Sequence, residues 1–163
     1  MAERAWIRGA QRGSVDDLER LFREHWPRAF RAARLVTRDD AAAEDIAQEA
    51  FLAAVRNLDR FDRRRPFGPW LHRIVVNRAI DWTRARRLRA EVELGEHVAA
   101  PAAPDPDGTL ARIGELPPEH RAVVVLRYVL EYTPGEIAEL LDLPRGTVNS
   151  RLRRGLDRMK HDA

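Results

Sequence analysis

The sequence predicts an all-α protein of two small helical domains joined by a flexible acidic linker, and three observations carry that prediction. Apolar residues recur at three- and four-residue steps on both sides of the middle of the chain, without sustained strand-type alternation. A stretch rich in proline and acid, Glu91 to Gly108, separates the two helical tracts. Cysteine is absent, so neither disulfides nor thiolate metal sites can hold the fold, and apolar packing must do so. At 163 residues with 44% hydrophobic content, the chain can form one ordinary domain or two small packed ones.

Helices are expected near 14–25, 27–37, 40–59 and 67–88, then near 109–114, 118–130, 134–141 and 145–160. In the third, Ala47, Ala50, Phe51, Ala54, Val55 and Leu58 form one core-facing stripe. Asp39 or Asp40 can cap its first turn, where the helix dipole favours acid. Its opposite face carries Asp45, Glu49, Leu52 and Arg56, with Gln48 on the flank. An apolar residue framed by charges fits a docking surface, and equally a lone exposed leucine.

The segment at 91–108 holds Pro101, Pro104 and Pro106, five acids and no base. With little to bury it cannot recover its ordering entropy by packing, so a flexible linker is expected. Fully stretched it would span about 60 Å. Expected domains are therefore 1–90 and 109–163, with the linker at 91–108 between them.

Charge is unevenly spread although the formal net charge is only +3. Residues 60–90 carry 10 basic and 2 acidic side chains, while residues 1–59 carry 10 and 11. Such a local positive block attracts phosphate backbones. No apolar run approaches the roughly 18 residues of a membrane span. The first residues lack the apolar stretch and cleavage site of a secretory signal, so a cytoplasmic protein without membrane insertion is expected.

The C-terminal tract carries the most specific pattern. Thr133, Pro134 and Glu136 make a helix start: Thr133 caps, Pro134 suits the first helical position, and Glu136 completes a capping box. Ile137, Leu140 and Leu141 face inward, and Pro144 interrupts the helix because it cannot continue the hydrogen-bond ladder. A second helix follows with Val148, Leu152, Leu156 and Met159 on its buried side and Gly155 allowing close packing. Two short helices joined by a tight turn form a helix-turn-helix. The second presents Arg145, Thr147, Asn149, Ser150, Arg151, Arg153 and Arg154 away from the core. In a DNA-binding helix-turn-helix this surface enters the major groove, where arginine pairs with guanine and asparagine with adenine.

A second candidate site runs from Arg60 to Arg89. The loop Asp62-Arg63-Arg64-Arg65-Pro66-Phe67-Gly68-Pro69 is basic and restrained by proline. In the helix that follows, Trp70, Arg73, Asn77, Asp81 and Arg84 share a stripe beside an apolar arc of Leu71, Val75, Ala79 and Trp82. Aromatic rings interleaved with arginine suit single-stranded DNA, where bases stack and phosphates meet cations. Core packing is preferred for Trp82; Phe67 and Trp70 suit either role.

Taken in order, AEDIAQEAFLAAVRNLDRF, PFGPWLHRIVVNRAIDWTRARR and LPPEHRAVVVLRYVLEYTPGEIAELLDLPRGTVNSRLRRGLDRMK resemble the extracytoplasmic-function (group 4) sigma factors of the sigma-70 family. The resemblance spans about Val15 to Lys160. It implies a non-enzymatic protein that binds core RNA polymerase and directs promoter-specific initiation. Asp45, Gln48, Glu49, Leu52 and Arg56 would then dock on the polymerase clamp helices. Asp62, Arg63, Arg64, Arg65, Phe67, Trp70, Arg73, Asn77, Asp81 and Arg84 would hold the melted −10 element. The helix from Arg145 to Arg154 would read the duplex −35 element. The linker would thread the polymerase cleft, and an anti-sigma factor would be a plausible further partner.

The alternative is a stand-alone helix-turn-helix regulator that binds operator DNA without polymerase. An enzyme is disfavoured: His25, His72, His97, His120 and His161 fall in no metal-ligand spacing, and no phosphate-cradling glycine loop or nucleophile motif occurs. No metal or cofactor is expected.

Overall fold

The computed structural model describes residues 2–92 and 108–161, and among these every regular element is helical. Helices α1 (Ala2–Gln11), α2 (Val15–Thr37), α3 (Asp40–Arg56) and α4 (Phe67–Val92) make the N-terminal half, with a short 3-10 turn at Leu58–Arg60. Helices α5 (Thr109–Glu115), α6 (Pro118–Tyr128), α7 (Pro134–Leu141) and α8 (Arg145–His161) make the C-terminal half. The all-α class is as the sequence predicts. Apart from Glu91, Val92 and Gly108, the predicted linker lies outside the described residues.

Local chemistry sets the ends of these helices. Ser14 caps α2 by accepting from the Asp17 amide at 3.3 Å, and Asp39 caps α3 by accepting from the Ala42 amide at 2.9 Å. That bond holds the Asp39 carboxyl below its usual range, and Arg86, at 2.8 Å, acts in the same direction. Thr133 and Glu136 form the predicted reciprocal capping box. Arg38 and Asp142 end α2 and α7 in the left-handed conformation.

Two elements differ from expectation. Residues 15–37 form one helix that runs through Pro27, where the sequence predicts two. Pro27 removes one backbone donor, but Leu21 and His25 before it and Ala29, Ala32, Ala33 and Val36 after it all enter the same core. Burial of both halves against one surface keeps the axis continuous. Helix α1 has no counterpart among the predicted helices. Its Ile7 is fully buried, and the Gln11 amide donates to the carbonyls of Leu58 (2.9 Å) and Phe61 (3.2 Å), fixing α1 to the 3-10 turn.

The two halves do not stand apart. Buried residues from Ile7 to Ile80 and from Ile113 to Leu152 form one contiguous apolar cluster, and α5, α6 and α7 pack against α2 and α4. Polar groups stitch this seam. Arg28 donates to the Leu130 carbonyl at 2.7 Å, His72 Nδ1 meets the Tyr132 hydroxyl at 2.6 Å, and Arg84 Nε reaches Glu119 at 2.6 Å. Arg121 is buried and donates across the seam to the carbonyl that Val36 presents near the end of α2. On its own side it reaches the carbonyls of Ile113 (3.2 Å), Gly114 (2.6 Å) and Leu116 (3.0 Å). A Cβ at Gly114 would sit 2.1 Å from the Arg38 guanidine, so a larger residue there would push this exposed side chain aside. Despite this packing, Asn77 and Arg153 both remain exposed.

Candidate polymerase and nucleic-acid interfaces

The outer face of α3 is the simplest surface. Ala43, Ile46, Ala47, Ala50, Phe51 and Ala54 turn inward, leaving Asp45, Gln48, Glu49, Leu52 and Arg56 exposed. Leu52 is 54% exposed, and Glu49 is the partner of Arg78 on α4 at 3.1 Å. Val55, read from the sequence as part of the core stripe, is 39% exposed and enlarges this face. The α2 side adds an aromatic ladder that sequence reasoning missed. Phe22 stacks on Trp26 at 5.0 Å and touches Phe51 at 4.9 Å, and Trp26 stacks on Phe30. The i, i+4, i+8 spacing of these rings was the available signal.

The basic loop and α4 form the second surface. Asp62, Arg63, Arg64 and Arg65 are exposed, and Asp62 holds the turn by accepting from the Arg64 amide at 3.0 Å. That bond and the Arg64 side chain lower the Asp62 carboxyl from its usual range. Along α4, Arg73, Asn77, Asp81 and Arg84 are exposed, in line with the predicted stripe. Trp70 is half-buried, 4.6 Å from the Phe61 ring. Phe67 must be removed from the DNA-contacting set. It is 3% exposed and wedged among His25, Phe61 and Trp70, so no base can reach its ring. Its place is that of an anchor at the start of α4. Trp82 is partly buried against the core, with the Arg86 guanidinium 5.0 Å over its ring.

The third surface is α8. Val148, Leu152 and Gly155 pack inward, with Leu156 and Met159 half-buried. A Cβ at Gly155 would lie 3.0 Å from a Val124 methyl, the close packing expected there. Arg145, Asn149, Arg153 and Arg154 are exposed, while Thr147, Ser150 and Arg151 are half-buried. The half-buried three and Arg154 line an open cleft of about 550 Å³ whose other side is lined by Arg84, Glu119 and His120. One flank of the helix therefore faces solvent, and the other faces α4 and α6.

At the seam, burial pulls His72 down to about 4, helped by the positive charge of Arg28, so its ring is neutral at neutral pH. One ring nitrogen bonds Tyr132, and the other, Nε2, is buried without a partner among the described residues. Burial also pushes the Tyr132 hydroxyl up to about 12 and pulls Arg121 down to about 10, which leaves Arg121 charged. No described helix is long and apolar enough to cross a membrane, and no group of potential metal ligands occurs among the described residues.

Comparison with known proteins assigns these surfaces a context. Residues 21–89 match the family model for sigma-70 region 2, and residues 109–159 match that for sigma-70 region 4. The ECF RNA polymerase sigma factor SigW of Bacillus subtilis is 38% identical over 137 residues, 72% of this chain and 73% of SigW. The RNA polymerase sigma factor CarQ of Myxococcus xanthus is 32% identical over 156 residues, 91% of this chain and 90% of CarQ. Among solved structures, CnrH in complex with the cytosolic domain of CnrY superposes with a TM-score of 0.75 at 27% identity, covering 99% of this chain and 96% of CnrH. RpoE of Bartonella quintana, solved with the anti-sigma factor NepR, shares the fold with a TM-score of 0.76 at 19% identity, covering 90% of this chain and 96% of RpoE. The chain belongs to the extracytoplasmic-function sigma factors of the sigma-70 family, polymerase-binding proteins that confer promoter-specific initiation.

Proposed function

We propose a division of that work among the three surfaces. The exposed face of α3, Asp45, Gln48, Glu49, Leu52 and Arg56, docks on polymerase, and the Phe22–Trp26 ladder widens its apolar centre. Asp62, Arg63, Arg64 and Arg65 with Trp70, Arg73, Asn77, Asp81 and Arg84 hold the opened −10 strand. Arg145, Thr147, Asn149, Ser150, Arg151, Arg153 and Arg154 read the −35 duplex in the major groove. The units that carry these surfaces are residues 1–90 and 109–163, joined through 91–108. The chain works in the cytoplasm, where polymerase and promoter are found, and catalyses nothing itself. An anti-sigma factor is a fitting regulator, as CnrY and NepR are seen bound to CnrH and RpoE.

One observation supports this reading above the rest. A docking face with an apolar centre and a helix-turn-helix with an exposed arginine-rich flank sit in different halves of one chain. A regulator that binds operator DNA alone has no use for the first. Run-off transcription with core polymerase on a fragmented genomic library tests the proposal. Initiation at a discrete set of fragments that depends on added chain supports it. Tight duplex binding without any association with core polymerase would favour the stand-alone regulator.

A further inference from the structure

We infer that the cleft between α4, α6 and α8 is a binding site for a small, multiply charged phosphate compound. Its consequence for transcription rests on the reading of α8 as the duplex-binding helix; the binding itself does not. The lining residues are Arg84 from α4, Glu119 and His120 from α6, and Gly146, Thr147, Ser150, Arg151 and Arg154 from α8. No apolar side chain is among them, so the cleft suits a hydrophilic occupant. Open to solvent, it offers about 550 Å³, room for the phosphate chain of a nucleotide-sized molecule.

Among the described residues the charge in the cleft is unbalanced. Its one carboxylate, Glu119, is engaged by Arg84, with Nε 2.6 Å from the nearer oxygen. Arg151 and Arg154 have no carboxylate at ion-pair distance among the described residues. The His120 ring feels the same excess: burial and then Arg151 and Arg154 hold it below its usual range. Guanidinium forks match phosphate oxygens in pairs, and the hydroxyls of Thr147 and Ser150 add further donors. A single phosphate would answer one guanidinium; a chain of phosphates can answer both and still reach Arg84.

A duplex cannot use this cleft as it stands. Helix α8 enters a major groove about 12 Å wide only with strand backbones on both sides of it. Here α4, with Arg84, stands against one of those sides. The site exists only while the two halves are packed, because Arg84 belongs to one half and the remaining residues to the other. A ligand that binds the packed form alone shifts the population toward it. It also occupies Arg151 and Arg154, which the −35 backbone needs.

The test is calorimetric titration of the full chain, at fixed ionic strength and without metal, with ATP, inorganic tripolyphosphate and inorganic phosphate as probes. The expected result is saturable one-to-one binding of ATP or tripolyphosphate, or of both, and far weaker binding of phosphate. R84A and R154A should each lower the affinity about tenfold or more, as loss of one charge-assisted contact does. R153A, on the opposite flank of α8, should leave it unchanged. A preference for ATP identifies a nucleotide ligand, and equal affinity identifies the phosphate chain as the recognised element; both support the site. Phosphate binding as tight as tripolyphosphate, absence of saturation, or equal loss in R153A and R154A would overturn it. Added ATP should then raise the apparent Kd for duplex DNA. If the chain binds no duplex under any condition, the reading of α8 fails while the titration arms still decide the site.

Discussion

The two halves of this sigma factor display their working helices in opposite ways. Helix α3 turns its whole polar face and Leu52 to solvent. Helix α8 shows one flank, with Arg145, Asn149 and Arg153, and turns the other, with Thr147, Ser150 and Arg151, toward α4 and α6. The difference is one of topology. Helix α3 packs through a single alanine-rich side on α2 and α4, whereas the C-terminal half is itself laid onto those helices. On the proposed roles, polymerase docking through α3 would need no rearrangement of the chain, whereas full engagement of a duplex by α8 would need the halves to part.

Substitutions and pH can break or sharpen this contrast. The largest effect is expected at Phe67, which sequence places in a DNA-binding loop and structure places in the core. Phe67→Ala should cost about 3–5 kcal/mol of stability, read by thermal or denaturant unfolding. Unchanged stability with lost −10 binding would return Phe67 to the exposed side of the comparison.

The seam itself responds to acid. His72 has its folded value near 4, below the ordinary 6.5, so the open or unfolded chain takes up a proton first. Stability, and with it closure, is therefore full above about pH 6.5 and falls as pH drops toward about 4, by about 3 kcal/mol in all. Unfolding at a series of pH values should show this slope, and His72→Asn should flatten it. An equal slope in the variant would remove His72 as its source.

Next is Leu52→Glu, which places a charge at the apolar centre of the α3 face. A loss of about 2 kcal/mol in association with core polymerase is expected, roughly thirtyfold, as at an interface hot spot. Retained affinity in a binding assay would move the docking surface elsewhere. The smallest change is Arg153→Ala on the open flank of α8. It should cost about 1–2 kcal/mol of −35-dependent initiation and leave core association intact. Equal loss of both would contradict the separation of roles.

Periodicity and capping make most of this fold legible in the amino-acid sequence. The box at Thr133 and Glu136, the stop at Pro144 and the alanine stripe of α3 are local features, and local rules suffice for them. Pro27 was misleading because the penalty for a missing backbone donor is local, while the burial that outweighs it comes from residues on both sides. Helix α1 was missed because its stability comes from Gln11 bonding to Leu58 and Phe61, some fifty positions away. Phe67 shows the same limit, since an aromatic residue in a basic loop reads alike whether it faces bases or the rings of Phe61 and Trp70. The cleft beside α8 was beyond sequence reasoning, for it exists only where Arg84 and Arg154 line one space across the seam.

The buried guanidinium of Arg121 has a consequence for how this seam gives way. Of its four carbonyl acceptors, those of Ile113, Gly114 and Leu116 travel with it, and only that of Val36 belongs to the opposite half. Val36 in turn keeps the Thr83 hydroxyl 3.4 Å away on its own side. When the halves separate, the cation keeps three of its four carbonyl acceptors, and the Val36 carbonyl exchanges its Arg121 donor for water. The joint comes undone like a press-stud, leaving each face chemically intact and ready to close again.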